Sequence, residues 1–408
     1  ATSNYRKRYR YNGNFLISYQ NSVTGDKNMP DYSKNTDFKV NWNHSQDSKA
    51  HPVRTFTARV NFTTSNYEQN NLTSMYNPQT RTQSTRTSSI GFNTRFSSLN
   101  MSINSSFNLS QNMRDSTLTV ELPTLTVSVS QFYPFKRKKA AGSDRWYEKI
   151  SLSYTANIRN QISNVKEDRI LHTNWAKDWQ NGIQHTIPIK ATFALGYLNI
   201  IPSFNFTDRT LFRKAKKYWD ETNQKEVTDT ITGFYNVYDW NLSLNLNTKL
   251  YGFYVPSRKL FGDKIDRIRH VFTPTVSFMY APDFGEDRYG YYDTYQKTDA
   301  QGNVSLVEYK PYDINIFSSP NRGKKGMVSF DFKNNLEMKV KSDDDSTGFK
   351  KISLIDELSL NMSYNFATDI RPLSDLRTNI RLKLSKSYTL NVAANFASYV
   401  YEADSVGA

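Results

Sequence analysis

The sequence predicts an all-β fold, an antiparallel transmembrane β-barrel, and three observations carry the prediction. The first is composition. The chain has 408 residues, 37% of them hydrophobic, with 27 Tyr, 25 Phe, 6 Trp and no Cys. A globular domain draws about 45–50% of its residues from the apolar set, and a disordered chain has few aromatics, so this chain is too polar for one and too aromatic for the other. The second is the lack of any run near the roughly 18 apolar residues of a spanning helix. The most apolar stretch, 187–206, is broken by Lys190, Thr192, Gly196 and Asn199. The third is alternation of apolar and polar residues, which gives a strand one face for lipid and one for water.

The alternation recurs along the whole chain. Phe56, Ala58, Val60 and Phe62 interleave with Thr57, Arg59, Asn61 and Thr63. Ile150, Leu152, Tyr154, Ala156 and Ile158 interleave with Ser151, Ser153, Thr155, Asn157 and Arg159. Trp240, Leu242, Leu244 and Leu246 interleave with Asn241, Ser243, Asn245 and Asn247. Similar runs occupy 187–195, 272–280, 328–332, 358–366 and 390–396. Counting such segments predicts roughly 16 to 18 strands of about ten residues. Ile150, Leu152, Leu242, Leu244, Leu246, Val276, Phe278 and Leu360 are expected to face lipid.

Turns are read from parity. Residues flanking a two-residue hairpin turn pair and share a face, so the apolar parity flips there. Flips place such turns at Ser97-Ser98, Pro123-Thr124 and Gly196-Tyr197, whereas the preserved parity around Ser385-Lys386-Ser387 indicates a three-residue turn. Longer polar connections are expected at 24–36, 66–86, 136–145, 160–182, 213–231, 283–325 and 342–350. Short turns of bacterial barrels face the periplasm and long loops face outward. The expected sides fail to alternate between 135 and 196, and an extra strand within 169–175 would repair this. Aromatics at strand ends, such as Phe132, Tyr133 and Phe135, Trp146 and Tyr147, or Tyr251, Phe253 and Tyr254, read as interfacial girdles. No linker divides the chain, so 1–408 is expected to be one barrel region without a separate soluble domain. It begins at Ala1 without an apolar signal core, as expected of a processed or truncated chain.

Chemistry-bearing motifs are sparse. His44, His51, His172, His185 and His270 have no partner at metal-ligand spacing, and no nucleophile elbow or paired-carboxylate motif occurs. Neither enzymatic activity nor a metal or organic cofactor is expected. The triplet Asp343, Asp344 and Asp345 lacks the ligand spacing of a calcium loop and reads as a solvated tip. The formal charge is +15, with basic runs at Arg6, Lys7, Arg8 and Arg10, at Lys136 to Lys139, at Arg213, Lys214, Lys216 and Lys217, and at Arg267 with Arg269. At strand ends these suit membrane lipid phosphates; nucleic acid is not an expected partner in an outer membrane.

Several segments are distinctive enough to compare with a family. Trp42-Asn43-His44-Ser45-Gln46-Asp47-Ser48-Lys49-Ala50-His51-Pro52, followed by Phe56 to Phe62, resembles the W-x-H-x-Q-D-x-x-A-x-P and F-x-A-x-V-N pattern of the Bacteroidetes branch of the lipopolysaccharide-assembly family LptD. Tyr133 to Lys138 with Trp146 to Ile150, Asn181 to His185 with Ile187 to Ile189, and the opening Tyr5 to Tyr9 are similar to the same family. The resemblance implies a barrel of about 26 strands, of which this chain would be a portion. It implies an outer-membrane translocon that inserts lipopolysaccharide into the outer leaflet, a periplasmic Lpt bridge that delivers it, and an LptE-like lipoprotein plug. The motif residues Trp42, His44, Gln46 and Asp47 carry no assigned role.

On that reading, the polar rows Asn241, Ser243, Asn245 and Asn247, and Ser151, Ser153, Thr155, Asn157 and Arg159, are the expected lumen path for sugar. Two alternatives share the barrel physics. A porin or nutrient transporter would use the segment 283–325 as a constricting loop, and a surface adhesin or structural barrel would present Tyr289-Gly290-Tyr291-Tyr292.

Overall fold

Period-two segments can bury one face only by pairing side by side, and that is how this chain folds. The computed structural model describes residues 1–30, 32–64, 67, 84–139, 142–175, 177–299, 301–342, 348–385 and 387–400. Its first nine strands are β1 (Thr2–Lys7), β2 (Tyr11–Thr24), β3 (Ser33–Gln46), β4 (Arg54–Thr63), β5 (Thr85–Phe96), β6 (Met101–Asn112), β7 (Thr117–Phe132), β8 (Ile150–Lys166) and β9 (Gln180–Ala191). There follow β10 (Phe193–Leu195), β11 (Leu198–Asp220), β12 (Lys225–Asn247), β13 (Leu250–Tyr254), β14 (Ile265–Ala281), β15 (Asp293–Thr298) and β16 (Val304–Tyr309). The last four are β17 (Lys325–Lys341), β18 (Phe349–Asn365), β19 (Leu376–Lys383) and β20 (Thr389–Phe396).

Eighteen of these form one antiparallel sheet, and β15 with β16 makes a separate hairpin. The short β10 and β13 prolong β9 and β12, since β11 pairs with both β9 and β10, and β14 with both β12 and β13. Neighbours in sequence are neighbours in the sheet, and among the described residues β1 and β20 are its two edges. The all-β antiparallel prediction and the strand number of roughly 16 to 18 both hold.

The register gives the expected faces. Leu244 pairs with Pro202 and Phe278, and Phe278 with Val328; Leu246 pairs with Ile200 and Val276. Ile150 and Leu152 pair with Ala191 and Ile189, and Leu360 with Phe332. These residues share one apolar face, and the Asn, Ser and Thr rows share the other.

The turns required two corrections. Gly196-Tyr197 is a two-residue turn between paired Leu195 and Leu198, and Leu384 N–H donates to the Tyr388 carbonyl at 3.0 Å, closing the turn after β19. The connection at Ser97-Ser98, however, has four residues, with Phe96 pairing Met101 around a 3₁₀ turn. Pro123-Thr124 is no turn at all. It lies inside β7, where the register slips against both β6 and β8. A bulge adds one residue to one strand and so flips parity as a two-residue turn does. It keeps Leu118 and Val120 on the same face as Leu125 and Val127.

With that bulge placed, the rims alternate cleanly. The connections 8–10, 47–53, 97–100, 133–149 and 196–197 lie on one rim, and 25–32, 113–116, 167–179, 221–224 and 282–324 on the other. No strand hides within 169–175, which holds a 3₁₀ turn at Ile170–His172. The expected loop 213–231 is instead the end of the β11–β12 hairpin, which turns at 221–224. Charged residues interrupt the apolar alternation on both of its faces, and Lys217 reaches across to Glu226 at 2.5 Å. The predicted Asp343 to Asp345 tip and most of the 66–86 connection lie outside the described residues.

Candidate functional site

The polar face of the sheet is a continuous hydrogen-bonding surface. On β12, Asn241 Oδ1 accepts from Asn205 Nδ2 at 2.9 Å, and the Ser243 and Ser203 hydroxyls meet at 2.6 Å. Asn245 donates to Ser277 at 2.8 Å, while Asn247 donates to Asn245 and accepts from Asn199. The β8 row lies on the same face, because Thr155 and Asn157 pair with Thr186 and Gln184, which pair in turn with Thr207 and Arg209. Asn157 accepts from Thr126 Oγ1 at 2.9 Å, Arg159 meets Glu121 at 3.2 Å, and Ser151 donates to the Lys190 carbonyl. Ser153 is half-buried in this row. The two predicted rows therefore belong to one surface. Each asparagine spends one or two groups on a neighbour and, having two donors and a carbonyl with two lone pairs, keeps others for a ligand.

Sequence reasoning left undetermined where the segment 282–324 goes. It folds onto this polar face. Beyond Leu242, which pairs with Tyr280, β12 has no β14 partner, and beyond Leu211, which pairs with Gly182, β11 has no β9 partner. Backbone groups left open on both edges need partners. The segment supplies them on each side. Tyr291 Oη accepts from Tyr238 N at 2.8 Å and donates to the Tyr238 carbonyl at 3.0 Å. On the other edge, Ala215 N donates to the Pro311 carbonyl, Lys217 N to Tyr309 Oη, and Asn315 Nδ2 to the Arg213 carbonyl.

Between its two moorings the segment crosses the polar side of β11 and β12. There Leu211 and Val237, both 0% exposed, pack with Ala281, Phe284 and Tyr291, with Tyr235 and Tyr312 beside them. Gly182 opens a place for Phe317 and Ile316, whose atoms lie 2.9 and 3.0 Å from where a Cβ would stand. Below this cover lies a polar cavity of about 340 Å³ that includes Arg209, Asp239, Asn241 and Asn321. Arg209 and Asp239 are paired at 2.5 Å. Burial pushes the Tyr291 hydroxyl up to about 12, so it stays protonated and able to donate at ordinary pH.

The expected adhesin surface is corrected by this packing. Tyr291 is 3% exposed, and its ring contacts Tyr289, Tyr238 and Tyr312, so it belongs to the core of the infolded segment, with Tyr289 and Tyr292 half-buried against that core and Gly290 exposed.

The motif residues gain structural roles. Trp42 Nε1 donates to Tyr5 Oη at 2.8 Å, and Tyr5 Oη meets His44 Nδ1 at 2.9 Å, on the apolar face near the rim of the connections 8–10 and 47–53. Gln46 closes the β3–β4 connection, donating to the Arg54 carbonyl and accepting from Phe56 N. Asp47 Oδ1 accepts from Lys49 N. Of the other histidines, His185 bonds Tyr154 and His270 bonds Asn334. Among the described residues no three His, Asp or Glu converge as a metal site would require.

A family model described as LptD protein matches residues 1–399. Comparison with curated proteins finds no match. Among solved structures, a double mutant of the Serratia marcescens hemophore receptor HasR, in complex with its hemophore HasA and heme, is similar at a TM-score of 0.23 and 7% identity over 94% of this chain. The chain spans 65% of that receptor's length. The match over 1–399, on a sheet with one hydrogen-bonding and one apolar face, places this chain in the LptD family.

Proposed function

We propose that the chain forms the barrel of an outer-membrane translocon that inserts lipopolysaccharide into the outer leaflet. It is integral to the outer membrane and performs no chemical step. The observation that carries this reading, beside the family match, is the single polar face formed by the β8 and β12 rows, backed by an apolar face. An amphiphile must keep its sugars hydrogen-bonded and its acyl chains in hydrocarbon, because burying a polar group without partners costs several kcal/mol. Neutral amides and hydroxyls in cross-strand ladders suit weak successive contacts with sugar hydroxyls. A periplasmic Lpt bridge delivers the substrate and an LptE-like lipoprotein occupies the lumen. Site-specific photocrosslinking from Ser243 and Asn245 in the transporting full-length protein tests this: abundant adducts with lipopolysaccharide support the path, and their absence during active transport removes it.

The infolded segment 282–324 favours one second reading, a porin that passes a soluble ligand under a constricting loop. Flux of small sugars through reconstituted protein, without lipopolysaccharide adducts at Ser243, would decide for it.

A further inference from the structure

We infer that the polar-face pocket shared by β1 to β4 is a binding site for a phosphate-bearing sugar, an inference that rests on the glycolipid reading above and assigns it a specific subsite. Two rows of paired residues cross these four strands. Asn4 pairs with Asn14, Asn14 with Asn43 and Asn43 with Arg59; one step along, Arg6 pairs with Asn12, and Asn12 with Ser45. All of them line one open pocket of about 490 Å³, within the range of small-ligand sites.

Several arginines elsewhere on this face are neutralised by a carboxylate, whereas this pocket holds two that are not. Elsewhere Arg159 meets Glu121 at 3.2 Å, Arg209 meets Asp239 at 2.5 Å, and Arg269 meets Glu337 at 2.6 Å. Arg6 and Arg59 are exposed, have no carboxylate partner among the described residues, and no Asp or Glu lines their pocket. A strand spacing of about 4.8 Å puts the two backbones about 15 Å apart, one at each end of the pocket. Guanidinium groups bind phosphate oxygens in paired hydrogen bonds, and the asparagines between them offer the mixed donors and acceptors that sugar hydroxyls need. A sugar with phosphate at one or both ends fits this order of groups; a neutral glycan leaves both arginines unused, and an acyl chain meets only amides.

The test uses the full-length protein in lipid nanodiscs with a photoreactive residue at Ser45. The probes are lipopolysaccharide and the same lipopolysaccharide after phosphatase treatment. Labelling is expected to fall at least tenfold with the dephosphorylated probe. It should fall as much in the Arg6→Gln/Arg59→Gln variant with the native probe, and recover in part in Arg6→Lys/Arg59→Lys. Heat-modifiable gel mobility verifies folding of each variant. Equal labelling by both probes, or by the folded glutamine variant, overturns the proposal. Loss of labelling in low-millimolar inorganic phosphate overturns its sugar component and assigns the site to free phosphate. Adducts at Ser243 without phosphate-dependent labelling at Ser45 leave the translocon reading intact and remove the subsite. The reverse pattern keeps the subsite and removes that reading.

Discussion

The Tyr291 hydroxyl accepts from the backbone N–H of Tyr238 and donates to its carbonyl, one side chain taking the place of a missing strand on the open edge of β12. This contact moors the segment 282–324 at the point where it starts across the polar face. Tyr291→Phe keeps the ring packing and leaves both backbone groups without that partner, a loss of about 1–3 kcal/mol. Limited proteolysis should cut within 282–324 faster in the variant, with the sheet still heat-modifiable. Unchanged cleavage would show that the other mooring suffices. The pH sign follows from the raised hydroxyl value of about 12. The contribution is complete below the ordinary tyrosine range near 10 and is lost as pH rises through 12.

Gly182 tests the same cover from below. A side chain there collides with Phe317 and Ile316, which are side chains able to move, while β9 keeps its pairing with β11. Gly182→Val is expected to lift 282–324 off the polar face. Small-solute flux through reconstituted protein should rise at least severalfold with stability nearly unchanged; equal flux would mean that the cover does not limit passage.

The connection 133–149 depends on Glu148, which is 1% exposed and accepts from Arg137 Nε and Nη2, Arg137 N and Arg145 N. The Arg137 guanidinium first, then the Arg145 N–H, hold the carboxyl down to about 2 against burial. A carboxyl lowered in the folded state stabilises above its ordinary value, and this connection should lose its order as pH falls from about 4.5 toward 2. Hydrogen exchange of 136–148 measured across that range should show the loss, and Glu148→Gln should show it already at neutral pH. A flat profile in the native protein would refute the anchor.

Gly13 pairs with Tyr5, whose ring lies over it. A Cβ at this position would collide with that ring and stand 2.5 Å from the Asn43 carbonyl. Gly13→Ala should destabilise by about 1–3 kcal/mol in urea unfolding followed by tryptophan fluorescence. Tyr5→Ala should relieve only part of that, since the Asn43 carbonyl is backbone. Full relief would put the whole clash on the ring. Trp42→Phe removes the donor to Tyr5 Oη and should cost about 1 kcal/mol.

The sequence by itself determined the strands and their faces. Alternation such as Leu242, Leu244 and Leu246 against Asn241, Ser243 and Asn245 has one pairing that keeps the apolar set together, so a one-residue slip is forbidden by the burial of a whole face. The polar rows were legible for the same reason. Parity could not tell a bulge at Pro123-Thr124 from a turn, because both flip the alternation, and only the pairing of β7 with β6 and β8 decided it. Nor could alternation reveal the end of the β11–β12 hairpin, where charged residues interrupt it, or the destination of 282–324. That depends on which backbone edges remain open after β9 and β14 have stopped short, and an open edge is a property of the assembled sheet. The pocket of Arg6 and Arg59 is of the same kind. Its residues lie far apart in the chain, and strand pairing sets Asn12, Asn14 and Asn43 between two arginines in a pocket that no described carboxylate lines.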